Sequence, residues 1–301
     1  MSFLHSNTPS WAIITPSYRG DFERCRLLCE SLDLFVTGNW HHYIVVESID
    51  MKMFSILAGP NRSILEMESL LPKSIHHLAR IPIINNRSLW YSWRTGFMLG
   101  WHVQQLVKME MAFRVKEPGL LYCDSDVFFV RPFDVANLVT EGRYRFFRTA
   151  VSYDEANITN PKFTTASARQ LGLATKPYPC PTYVENLVPW HAATTRNLCE
   201  HIAQVSGRDW RITLGRDIII SEYTLYGLYI ERVLKNSSSF QIFHDGLCKT
   251  IWVKTELDDR ALDQFFENLE PHIVAIGVQS FVGIKIERLQ NQFQRAALML
   301  K

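Results

Sequence analysis

Between Gly119 and Asp134 the chain reads GLLYCDSDVFFVRPFD, an apolar run broken by two carboxylates, Asp124 and Asp126. Opened by Pro118-Gly119 and closed by Pro132, a run this short and aromatic reads as a strand buried on both faces. An unpartnered charge in such a place is costly, so carboxylates there are paired or bind a cation. Spaced two apart, both lie on one side of an extended strand. Where the chain turns, their oxygens can converge on one hard metal ion. The alternative is a strand end carrying solvated aspartates, which a bare D-x-D does not distinguish.

With 301 residues the chain can bury a full core as one large α/β domain or two small ones. Hydrophobic content of 47% and charged content of 21% fit a globular protein. A net charge of +2 without a Lys/Arg run gives no case for nucleic acid. Met1 to Ser10 carries no signal-peptide pattern, and Ile273 to Ile284 is too short to span a bilayer. The six cysteines include no C-x-x-C, and Cys25 and Cys29 sit at helical spacing among apolar residues. Reduced core thiols are therefore expected rather than zinc or disulfides. The expectation is a cytoplasmic globular protein of a size suited to an enzyme.

Taken in order, Trp11 to Tyr18 reads as a first buried strand ended by Pro16. Asp21 then offers an N-cap to an amphipathic helix, with Phe22, Cys25, Leu28, Cys29, Leu32 and Phe35 on its stripe and an end near Gly38. His42 to Glu47 is a second buried strand. This strand–helix–strand order is a βαβ unit, so a parallel sheet and a right-handed crossover follow. Ligands bind beyond the carboxyl ends of such strands, which places Thr15 to Arg19 and Glu47 to Asp50 at a site mouth.

Gly59 to Arg80 reads as short helical pieces with a turn at Pro72, and Ile81 to Ile84 as an edge strand. Trp90, Tyr91, Trp93 and Trp101 crowd around Arg94, either as core or as a phosphate-binding group. Gly100 to Arg114 is a helix with Val103, Leu106 and Phe113 on its buried stripe. Gln104, Gln105 and Lys108 lie on other positions of it, and Lys108 is expected near the carboxylates because this helix feeds directly into their strand. A strand follows at Tyr144 to Val151, then an ordered, proline-rich and aromatic loop at Tyr178 to His191. Ala192 to Ser206 is a helix. Asp217 opens an acidic stretch in which Ser221 caps a buried helix, with Glu222 in its first turn. Phe240 to Phe243 is a short strand, and Ile286, Leu289, Phe293, Ala297 and Leu300 form a terminal helical stripe. That stripe, with Arg288, Arg295 and Lys301, either packs on its own domain or docks a partner or a membrane surface.

The order of these motifs resembles the GT-A class of nucleotide-sugar glycosyltransferases. The likeness is carried by TPSYRGD from Thr15, LLYCDSDV from Leu120, SEYTLYG from Ser221, and His244, Lys249 and Trp252. It is most like a group of bacterial glycosyltransferase-like proteins largely of unassigned function, and it is distantly similar to glycogenin. The resemblance implies a mixed, mainly parallel, Rossmann-like α/β sheet flanked by helices. It implies a GT-A-like domain over residues 11–255 and a mainly helical C-terminal extension, 256–301, packed on it. It further implies a sugar transferred from a nucleotide diphosphate donor, by family habit a UDP-sugar, to a glycan or small-molecule acceptor with Mn²⁺ or Mg²⁺. Thr15, Pro16, Ser17 and Tyr18 line the nucleotide pocket in that reading. Asp126 ligates the metal, and Asp124 touches ribose or a metal-bound water. The glycogenin-like H-x-x-G-x-x-K-P-W element appears here as His-x-Gly-x-x-Lys-x-x-Trp, making His244 a third ligand and Lys249 a diphosphate contact.

Charge developing on the leaving phosphate would be neutralised by a cation at Asp126 and by Lys249, Arg94 or Lys108. An inverting enzyme needs a carboxylate to deprotonate the acceptor hydroxyl, for which Glu222 stands first and Asp217 second. Glu222 is equally explained as a carboxylate at a helix N-terminus. Two other functions fit parts of the sequence. A haloacid-dehalogenase-like phosphatase would use Asp124 as nucleophile and Asp126 as acid/base, with Asp258-Asp259 in the acidic role. A non-catalytic binding protein on the same fold is the other.

Overall fold

The computed structural model describes residues 9–81, 87–150, 159–175, 180–235, 238–252 and 259–300. Its centre is a strand with no exposed residue, β1 (Trp11–Pro16), followed by helix α1 (Phe22–Phe35) and strand β2 (Trp40–Val46). Strand β3 (Arg62–Glu66) comes next, within the stretch expected to hold only short helices. An antiparallel unit then runs β4 (His76–Ile81), β5 (Arg87–Ser92) and β6 (Gly96–Leu99). Pro82 to Ile84, expected as part of an edge strand, lie outside the described residues.

Helix α2 (Gly100–Arg114) leads into β7 (Gly119–Tyr122) and β8 (Val127–Phe129), with Asp124 and Asp126 in the turn between them. After these come β9 (Arg143–Phe147), β10 (Val188–His191), α3 (Ala192–Ser206) and α4 (Glu222–Leu228). The chain closes with β11 (Phe240–Phe243), β12 (Cys248–Ile251), β13 (Ala275–Val278) and α5 (Ile286–Leu298). The molecule is mixed α/β.

The main sheet runs β10–β7–β1–β2–β3. β1 pairs in parallel with β2 on one side, Trp11 opposite Trp40, and with β7 on the other, Trp11 opposite Gly119. β2 and β3 are also parallel, while β10 is antiparallel to β7. The βαβ unit therefore forms as its spacing predicts, and the chain builds outward from β1 before crossing back to its far side. That reversal creates a topological switch point between β1 and β7, the place where open α/β sheets bind ligands.

A second sheet, β12–β13–β8, starts where the first stops. β8 leaves the main sheet at the Asp124 turn, closed by Val127 N–H on the Asp124 carbonyl at 3.2 Å. β13 pairs antiparallel with β8, and Val278 N–H donates to the Asp126 carbonyl at 3.0 Å. The C-terminal segment thus contributes a strand to the floor of the site as well as helices.

Among the described residues four clusters of apolar side chains hold this together, and α2 is buried on most of its circumference between the sheet and α3. Phe113, expected on the buried stripe of α2, is instead 39% exposed and lies over Trp210. The terminal stripe packs inward: Leu289 is buried, and Phe293 meets Phe35 of α1 edge-on at 6.1 Å. All six cysteines are buried and unbridged. No helix among the described residues is long and apolar enough to cross a membrane.

Candidate functional site

A cavity of about 380 Å³ opens at the switch point, lined by the ends of β1 and β7 together with α2, α4 and the segments before β10 and after β12. Pro16, Ser17 and Tyr18 form one rim and Asp124, Ser125 and Asp126 the floor beside it. Strand alternation does not set the two aspartates here. The turn does, and it leaves the Asp124 side chain 36% exposed while Asp126 is buried.

Asp126 is poorly placed to carry a charge. Its Oδ1 is buried with no hydrogen-bond partner among the described residues. Burial, then the charges of Asp124 and Asp21, push its carboxyl up to about 8 against the opposing pull of Arg24 and the Ser280 N–H. Asp21 shares the cavity and is itself raised to about 6, chiefly by burial. It starts α1 as expected but makes no capping bond with its side chain, which belongs to the acidic floor instead. Arg24 is held off the carboxylates by its bonds to the Val278 and Ile284 carbonyls.

Lys108 occupies the opposite wall. Its Nζ lies 3.0 Å from Asp124 Oδ1, 3.2 Å from Glu222 Oε1 and 3.1 Å from the Tyr223 hydroxyl. Burial works against its charge, but Asp124, Tyr223 and Glu222 outweigh it and hold the amine well above its ordinary value. Helix geometry explains the convergence: Gln105 and Lys108 are one turn apart on α2, and both reach the start of α4. Gln105 accepts the Glu222 N–H at 3.1 Å, and Ser221 caps α4 by accepting the Thr224 N–H at 3.2 Å. Burial raises the Glu222 carboxyl, and Lys108 opposes it.

Beyond Tyr18 lies a knot of opposite charges. Arg80 donates to Glu47 Oε2 at 2.6 Å and to Asp50, and its guanidinium stands 5.6 Å from the centre of the Tyr18 ring. Arg19 Nε adds a bond to Asp50 at 2.6 Å. The cavity thus has a charged, aromatic end near Tyr18 and an acidic floor, bridged to α4 by one lysine.

Five expected site residues are placed elsewhere. Thr15 is fully buried beneath the rim, its hydroxyl bonded to His42 at 3.0 Å. Arg94 sits in the β5–β6 turn, 5.5 Å from the centre of the Trp93 ring, because the aromatic crowd divides: Trp90 joins the core, while Tyr91, Trp93 and Trp101 are exposed. Lys249 is paired with Glu270 at 3.0 Å, outside the cavity. His244 is exposed and bonds the Arg148 carbonyl at 2.8 Å, so it does not join Asp124 and Asp126. Asp217 faces away from Glu222, paired with Arg169 in a separate recess. Among the described residues, no three His, Cys, Asp or Glu side chains are grouped as a metal cage.

Glu185, Asn186 and Gln105 also line the cavity although no local motif marks them, and Trp101 does so although its sequence context shows only an aromatic group. Asp258 lies outside the described residues. No curated protein matches the chain. A model described as a family of unknown function, DUF6492, matches residues 12–299, and the chain belongs to that family.

Proposed function

We propose that this chain is a metal-dependent glycosyltransferase of the GT-A kind, moving a sugar from a nucleotide diphosphate donor, a UDP-sugar in our reading, to an acceptor hydroxyl. The observation that carries the proposal is the buried Asp126 carboxyl beside Asp124 at the sheet's switch point, one oxygen of which has no hydrogen-bond partner among the described residues. Arg24 and the Ser280 N–H do not offset its burial, and a bound cation would stabilise its charged form.

The donor set fits Mg²⁺ or Mn²⁺, which are held by one or two carboxylates completed by phosphate oxygens. Asp126 would hold the ion, with Asp124 beside it, and the ion would supply a Lewis acid for the departing diphosphate. The remaining work falls to the chain. Lys108 adds a fixed positive charge on the opposite wall, kept protonated by three neighbours. Tyr18 and the Arg80–Glu47–Asp50 knot form the end suited to a nucleoside, offering an aromatic face and paired hydrogen-bonding groups. Burial of Lys108 and Glu222 keeps water away from that wall.

A thermal-shift screen of nucleoside diphosphates with and without Mn²⁺ tests this. The expected result is stabilisation by one nucleotide that depends on metal and disappears in Asp126→Ala. Absence of any such shift contradicts the proposal. So does hydrolysis of a phosphomonoester that Asp124→Asn abolishes, which is the behaviour of the phosphatase alternative.

A further inference from the structure

The wall facing the second sheet is built around a carboxylate that the transfer reaction as described leaves without a role. Glu185 and Asn186 line the cavity immediately before β10. Leu187, which joins them to the strand, is buried and adopts a left-handed backbone, φ 57°. That conformation is rare for a bulky residue and persists where the surroundings impose it, commonly at functional sites. Here it breaks the strand one residue before β10 and turns Glu185 and Asn186 off the line of the sheet.

The same two residues are braced on their other side. Asn186 Nδ2 donates to Thr250 Oγ1 at 3.0 Å, and the Asn186 N–H donates to Glu185 Oε1 at 2.8 Å. Two glycines leave the necessary room. A Cβ at Gly246 would lie 3.0 Å from Glu185 Oε2, and one at Gly277 would lie 2.9 Å from Asn186 Nδ2. Trp252 stands two residues beyond Thr250, lines the same cavity and is 44% exposed.

Glu185 differs from Glu222 in what it touches. Glu222 is committed to Lys108 at 3.2 Å. Among the described residues no ion pair holds Glu185: burial raises its carboxyl to about 7, opposed by the Asn186 N–H and the Thr250 hydroxyl. The buried Cys248 thiol faces it. A carboxylate with no cation beside it among the described residues, at the edge of a cavity, is better placed to accept a proton than one locked in an ion pair.

Resting on the transfer reading above, we infer that Glu185, Asn186 and Trp252 form the acceptor subsite, that it takes a sugar ring, and that Glu185 receives the proton of the attacking hydroxyl. The ring lies on the Trp252 face with its hydroxyl toward Glu185. The hydroxyl oxygen forms a bond to the anomeric carbon of the donor while its proton passes to the Glu185 carboxylate. The bond from that carbon to the diphosphate oxygen breaks, and its electron pair leaves with the nucleoside diphosphate. Bond formation and cleavage fall on opposite faces of one carbon, so its configuration inverts. Glu222 then serves to position Lys108.

The test supplies UDP-glucose, UDP-galactose and UDP-N-acetylglucosamine with Mn²⁺ and a panel of methyl pyranosides, and reads the product by proton NMR. Inverted configuration is expected. Glu185→Gln should lower kcat at least ~100-fold with the donor KM and the UDP–Mn²⁺ thermal shift unchanged. Asn186→Ala, which keeps the carboxylate but loses its brace, should lower kcat less. Trp252→Ala should raise the acceptor KM with kcat little changed. Retained configuration, wild-type kcat in Glu185→Gln, or UDP binding without transfer to any pyranoside overturns the assignment. Failure of the wild-type protein to bind UDP with Mn²⁺ overturns the transfer reading itself, and this assignment with it.

Discussion

Asp126 concentrates the cost of the site in one side chain. Its ordinary value of 3.8 is raised to about 8 in the folded protein, so folding favours its protonated form. The stability this allows is complete below the ordinary value and is lost as pH climbs toward and through about 8. With metal chelated, Asp126→Asn should therefore melt above wild type at pH 8, by roughly 5 °C or more. The gap should narrow toward pH 5, and equal melting temperatures at both values would contradict it. Lys108 is the converse case, a buried cation whose loss strands Glu222 and deprives Asp124 of its partner. Lys108→Met should cost about 3–5 kcal/mol in urea unfolding, with part of it recovered by adding Glu222→Gln.

The same residues mark how far the sequence could be read. Asp124, Asp126, Lys108 and Glu222 meet in one cavity because apolar context and helix spacing set their positions locally. His244 and Lys249 rest on motif likeness and Arg94 on aromatic crowding, and the structure seats all three outside the cavity. Glu185 was hidden because its placement depends on the left-handed Leu187 and on glycines sixty and more residues away, which no local pattern displays.

At the scale of elements, local chemistry was a good guide wherever one face was buried. The residue ranges of α2, α3 and β11 and the Ser221 cap of α4 all follow from spacing and capping. Removing that cap with Ser221→Ala should cost about 1 kcal/mol, measured by denaturant midpoint. The aromatic crowd of the β5–β6 hairpin is core only in part: Trp90 on β5 is fully buried, and Trp93 in the turn is 77% exposed. Trp90→Ala should destabilise by about 3–5 kcal/mol, whereas Trp93→Ser should stay within about 0.5 kcal/mol. Similar losses from both would contradict the observed packing. β3 escaped notice because its residues, apart from Arg62, are half-buried at the sheet edge, leaving only a weak apolar signal.

At the scale of the molecule, the site exists because two sheets meet at one turn. β7 delivers Asp124 and Asp126 to the switch point, and β8 carries the chain away into a sheet completed by β13. The first sheet was legible as a βαβ unit. The second was not, since β8, β12 and β13 are three or four residues long and far apart in sequence. The central claim is that this turn binds a divalent cation together with a nucleoside diphosphate through Asp126. Electron paramagnetic resonance of free Mn²⁺ titrated into protein with UDP measures it most directly. The account predicts loss of the free-ion signal in proportion to wild-type protein and its persistence in Asp126→Ala, whereas the same signal with both proteins would contradict it.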